Sequence, residues 1–125
     1  MKNIDIKETE FTPSILLDLE SGLIEIRGNS LPENTFDFYK KFMNTTKNYF
    51  ESPKETTTIN LEIIYFNSSS SKLFFDFFDL LEENHDKHKI VINWIYDEEN
   101  ESMQEAGEDF KEDFEDLNIN LIQKS

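Results

Sequence analysis

The chain has 125 residues and 14.9 kDa, the size of one domain with room for one hydrophobic core. Its 37% apolar content, twelve phenylalanines, three glycines and three prolines exclude a disordered or low-complexity chain. Twenty-seven acids against twelve bases leave a net charge of −15, which repels nucleic-acid phosphates and anionic lipid, so neither nucleic acid nor membrane is an expected partner.

The opening "MKNIDIKETE" lacks the apolar core of a signal peptide, no segment has the roughly 18 apolar residues of a membrane span, and cysteine is absent. A cytoplasmic location is expected, and the sequons at Asn44, Asn67 and Asn100 then read as chance matches. Residues 14–19, "SILLDL", and 23–27, "LIEIR", flank "ESG" and predict a β-hairpin. Next, Ser30 with Glu33 three residues on and Pro32 between them reads as the start of a helix. That helix carries Phe36, Tyr39, Met43 and Phe50 at helical spacing and ends near Ser52-Pro53.

"TTTINLEIIYF", residues 56–66, is β-branched and aromatic, and its second half is apolar on both faces, the pattern of a central strand. From about Ser69 to Asn84 a second helix follows. Lys72, Asp76, Asp79 and Glu83 form a narrow polar stripe on it, while Leu73, Phe74, Phe75, Phe77, Phe78, Leu80 and Leu81 cover the rest. "KIVINWIY" is another buried strand, and the strand-helix-strand order calls for a parallel crossover. Residues 97–118 form an acidic amphipathic helix with Met103, Ala106, Phe110 and Phe114 on one side, closed by a short strand "INLI". No internal repeat or linker is visible, and residues 1–125 are expected to form one domain.

Few residues carry recognisable chemistry. His85 and His88 suit the negative end of a helix dipole better than a metal. Asp97, Glu99, Glu101 and Glu108 match EF-hand offsets, but Ser102 stands where the loop needs glycine. No nucleophile elbow, P-loop, dinucleotide glycines or cysteine nucleophile is present, so neither enzymatic activity nor a cofactor or metal is expected. The run Ser68 to Ser71 differs, because it lies where a strand gives way to a helix with free first-turn N–H groups. A cap needs one serine. The others are either turn residues or a phosphorylation site, since a phosphate there faces the favourable end of the helix dipole.

The blocks "FTPSI", "GLIEIRGNSLPENTFDFY", "LEIIYFNSSSSK", "VINWIYDEENE" and "EAGEDFKEDF", in this order and spacing, resemble the SiaC family of bacterial regulatory phosphoproteins over almost the whole chain. That family is similar to the STAS domains of anti-sigma-factor antagonists. The resemblance implies an α/β, STAS-like (SpoIIAA-like) fold: a mixed sheet of about five strands with three helices and an N-terminal β-hairpin. It also implies a serine kinase and a PP2C-type phosphatase acting on a hydroxyl at a helix start, and a diguanylate cyclase bound by the unphosphorylated form. The acceptor in such proteins directly follows the strand-ending asparagine, here Ser68 after Asn67, with Ser69 and Ser70 as substitutes.

The expected docking surface comprises Asn67, Ser69, Ser70, Lys72 and Phe75, extended by Asn29, Pro32, Glu33 and Asn34 from the "GNSLPEN" block. Surplus phenylalanines on the second helix offer an apolar face beside the switch, and a homodimer through that face is a further option. Two rival readings are a structural module in which the serines only cap and turn, and a STAS-like binder of a small ligand.

Overall fold

A computed structural model describes residues 2–125. The elements run β1 (Ile4–Ile6), β2 (Ser14–Asp18), β3 (Leu23–Ser30), α1 (Thr35–Tyr49), β4 (Thr56–Phe66), α2 (Ser68–Glu83), β5 (Lys89–Asp97), α3 (Glu101–Asp113) and β6 (Asn118–Lys124). The six strands lie in chain order in one sheet. β1, β2 and β3 pair antiparallel, and β3 through β6 pair parallel across the three helical crossovers. The hairpin, the central β4 and the parallel crossovers are as the sequence predicts. The additional strand is β1, three residues among charges whose only signal is Ile4 and Ile6 facing Leu17 and Ile15.

Alternation decides which face is buried. Ile15, Leu17, Ile24, Ile26, Ile59, Leu61, Ile92 and Trp94 are all fully buried on one side of the sheet. The helices cover this side, with α2 in the middle: Phe77 meets Phe42 of α1 at 5.3 Å, and Phe78 meets Phe110 of α3 at 4.6 Å. This packing absorbs the wide apolar face of α2. Phe74, Phe77 and Phe78 have no exposure, and Phe75 alone is 44% exposed, its ring 5.0 Å from Phe114. The expected docking face of surplus phenylalanines is therefore mostly core, because a helix flanked by two others and a sheet needs three contact directions.

The opposite face of the sheet is polar. Asn60 donates to Glu25, Asn93 to Asn60 and Asn120 to Asn93, one amide per strand in matching register. Beside this row Arg27 bonds Glu25 and Glu62, and Lys124 also pairs with Glu62. Parallel strands are usually covered on both sides; here, hydrogen-bonded side chains let one side stay wet.

Helix α1 departs from expectation at its start. Its cap is Asn34, whose Oδ1 accepts from the Asp37 N–H at 3.1 Å, while Ser30 is the last residue of β3. Pro32 disfavours a helical Leu31, so the strand runs on and the helix begins after Pro32 instead of through it. The buried stripe becomes Tyr39, Phe42, Thr46 and Tyr49, leaving Phe36 71% exposed. Helix α2 is capped by Asn67, so the expected serine cap gives way to asparagine there as in α1, and α3 is capped by Asn100. The three caps stand 33 residues apart, marking three strand-cap-helix units that the sequence reading did not register as a repeat.

Candidate functional site

Because β3, β4 and β5 are parallel, the N-termini of α1, α2 and α3 all open at one end of the molecule. Ser68 begins the middle helix. Asn67 Oδ1 accepts from the Ser70 N–H at 2.9 Å and from the Ser69 hydroxyl at 3.1 Å. The Ser71 N–H is taken by the Asn67 carbonyl, which leaves the Ser68 and Ser69 N–H groups as the free donors of the first turn.

The serines are not equivalent. Ser70 is fully buried and donates to the Ser30 carbonyl at 3.0 Å. Its proton being committed, Ser30 Oγ donates to Ser70 Oγ at 2.8 Å, and the Tyr39 hydroxyl in turn donates to Ser30 Oγ at 2.6 Å. Burial pushes the Tyr39 phenol up to about 12, against the lowering effect of the Ser30 bond, so it remains a donor. This chain of three hydroxyls pins β3, α1 and α2 together. Removing the Ser30 hydroxyl leaves the buried Tyr39 hydroxyl without its acceptor, while Ser70 keeps its bond to the Ser30 carbonyl, a cost of about 1–3 kcal/mol.

Ser69 is exposed, but with its proton on Asn67 it accepts from Thr35 Oγ1 at 2.6 Å, joining the starts of α1 and α2. Ser68 is exposed and, among the described residues, its side chain has no hydrogen-bond partner. Of the three candidate acceptors, Ser68 presents the least committed hydroxyl.

The remaining expected contact residues scatter in role. Lys72 is exposed and pairs with Asp76 at 3.2 Å. Asn29 reaches the Glu10 carbonyl at 3.4 Å, tying down the loop between β1 and β2. Pro32 is buried and so offers no contact surface; Glu33 and Asn34 are exposed, Asn34 as the cap.

Sequence reasoning missed the apolar part of this end. β4 slips register against β3 between Gly28 and Asn29, so that Gly28 faces Ile63 and Asn29 faces Tyr65. Ile64 is the extra residue of a bulge, and both Ile64 and Tyr65 turn outward, 53% and 55% exposed. Gly28 makes the bulge feasible, since its φ of 118° suits only glycine and a Cβ there would strike the Glu8 carboxylate. Phe11, whose carbonyl accepts from Leu31 N, and Phe36 add two more exposed rings at the same end. The signal was a glycine facing two consecutive bulky residues near the close of β4.

The histidines lie at the other end. His88 bonds Thr57 at the start of β4, whereas Ser68 follows its close, about 30 Å away at strand rise. Ser68 thus has no histidine base within reach, and among the described residues no group of three or more potential ligands forms a metal site. The acids that matched EF-hand offsets flank or lie within α3 instead of forming a loop. Among the described residues no helix is long and apolar enough to cross a membrane.

A six-stranded mixed sheet backed by three helices, with hydroxyls gathered where the middle helix begins, is the STAS-like α/β arrangement. The family model for the SiaC family regulatory phosphoprotein matches residues 6–124, and the chain belongs to that family. An uncharacterized protein of Pseudomonas aeruginosa strain UCBPP-PA14 is 32% identical over 114 residues, 90% of each chain. Among solved structures, SiaC of Pseudomonas aeruginosa matches with a TM-score of 0.90 at 27% identity, over 99% of this chain and 100% of that one. The diguanylate cyclase SiaD in complex with its activator SiaC, also from Pseudomonas aeruginosa, matches at 0.90 with 29% identity, over 97% and 99%.

Proposed function

We propose that this protein is a non-enzymatic partner switch: unmodified, it docks on and regulates a signalling enzyme of the diguanylate cyclase class, and phosphorylation of Ser68 blocks that docking. The observation that carries this reading is the position of Ser68, an exposed, uncommitted hydroxyl at the start of α2, close in sequence to the outward-turned Ile64 and Tyr65. Support for the partner class comes from the SiaC of Pseudomonas aeruginosa, which is the activator in the SiaD complex. The docking surface is the strand-end face carrying Ser68, Ile64, Tyr65 and Phe36, in place of the flank of α2.

A phosphate adds about 1.5–2 negative charges and three acceptor oxygens. The free Ser68 and Ser69 N–H groups at the positive end of the α2 dipole are suited to hold it, so modification leaves the fold intact. Its bulk and hydration oppose burial against an apolar partner surface. The global field changes little on a chain already at −15, so the effect is local. A dedicated serine kinase and a PP2C-type phosphatase complete the cycle.

The test titrates wild type, Ser68→Ala and Ser68→Glu into SiaD as the first cyclase probe and follows both binding and cyclic-di-GMP synthesis. Wild type and Ser68→Ala are expected to bind and stimulate, and Ser68→Glu to do neither. Equal behaviour of the alanine and glutamate variants would sink the switch, and site mapping that finds phosphate only elsewhere would move the acceptor.

A further inference from the structure

The two edges of the sheet are defended very differently. β1 is three residues long with Asp5 at its centre, a short and charged edge that resists pairing. β6 has seven residues, no proline or glycine, and a single charge at its last position, Lys124. From Leu117 to Ser125 there is no acid at all, on a chain of net charge −15. This is where a like-charged copy meets least repulsion. Ile122, 41% exposed, adds apolar surface beside the strand's unpaired side.

The amide row also ends here. Asn120 donates one N–H to Asn93, leaving its carbonyl oxygen and second N–H without a side-chain partner among the described residues. A group that is donor and acceptor at once is best completed by another carboxamide. A second β6 supplies one.

We propose that β6 is a homodimer edge, pairing antiparallel about a two-fold axis with Asn120 opposite the partner's Asn120 to give a continuous twelve-stranded sheet. In this register Ile119 faces the partner's Leu121, and Asn118 faces the partner's Ile122. The two amide rows join through a reciprocal carboxamide pair. Antiparallel pairing points the two Ser68 ends in opposite directions, so the dimer carries two switch faces that engage separate partner molecules instead of one.

The test is sedimentation equilibrium of the full chain over a concentration series, at low and high salt. Wild type is expected to form a dimer that tightens with salt as repulsion between the two acidic copies is screened. Asn120→Asp, at an exposed side chain, should weaken it by about tenfold or more by setting like charges opposite each other. Ile122→Glu is the second interface variant, circular dichroism checks that both fold, and Phe36→Ser at the switch end should leave the constant unchanged. A monomer under all conditions overturns the proposal, as does a dimer that Phe36→Ser dissociates and Asn120→Asp does not. So does hydrogen exchange in which β6 amides become protected only on adding SiaD, which would assign the edge to a partner strand.

Discussion

Asn67 and Ser68 are neighbours with separable jobs. Asn67 supplies the cap, so Asn67→Ala should cost about 1 kcal/mol, read as a lower urea midpoint. Among the described residues Ser68 makes no side-chain bond, so Ser68→Ala should change stability by less than about 0.5 kcal/mol. A large loss from Ser68→Ala would instead favour the purely structural role of the serines. His88 offers a second measurement at this scale. Its Nε2 is 3.1 Å from Thr57, its buried Nδ1 has no partner among the described residues, and burial lowers its pKa below the ordinary histidine value. The unfolded chain therefore binds this proton more readily, and stability due to His88 is present above about pH 6.5 and lost as pH falls toward the folded value. His85 runs the other way: the Glu82 carbonyl, with Asp116, Asp86 and Glu82 adding to it, raises its pKa, a contribution present at low pH and lost as pH rises. Melting curves between pH 7.5 and about 5 should show a smaller acid loss in His88→Phe and a larger one in His85→Ala.

The elements fit together through contacts that periodicity alone does not disclose. Gly107 sits in α3, where alanine would ordinarily add about 1 kcal/mol of helix propensity. Here a Cβ would run into the ring of Trp94, which is held in place by its Nε1–H bond to the Met103 carbonyl at 2.8 Å. Gly107→Ala should therefore lose about 1–2 kcal/mol net by overpacking. Trp94 is the sole tryptophan, so its emission reports the displacement directly, and an unshifted spectrum with a raised urea midpoint would count against this packing. The same dependence on neighbours explains α2: its phenylalanines were legible as apolar, but their burial was decided by α1 and α3 on either side.

At the scale of the molecule, net charge opposes compactness. The ion pairs around Glu62, with Arg27 and Lys124, are few against the excess of acids. Raising sodium chloride from low concentration to about 0.5 M should raise the melting temperature, because screening relieves repulsion across the whole surface. A fall would mean that the pairs on the open sheet face outweigh it.

Element types and their order were legible in the sequence because alternation and helical spacing are local properties. The β-branched run of β4, the phenylalanine stripe of α2 and the position of Ser68 after Asn67 all follow from neighbours within a few residues. The bulge that turns Ile64 and Tyr65 outward needed Gly28 on another strand. Withdrawal of Ser70 into the core needed Ser30 and Tyr39, about forty and thirty residues distant. Sequence by itself determined where a run of hydroxyls meets the start of a helix. Tertiary structure decided which serine is left free and which apolar side chains surround it, because hydrogen-bond partners and burial are set by segments that meet only when the sheet closes.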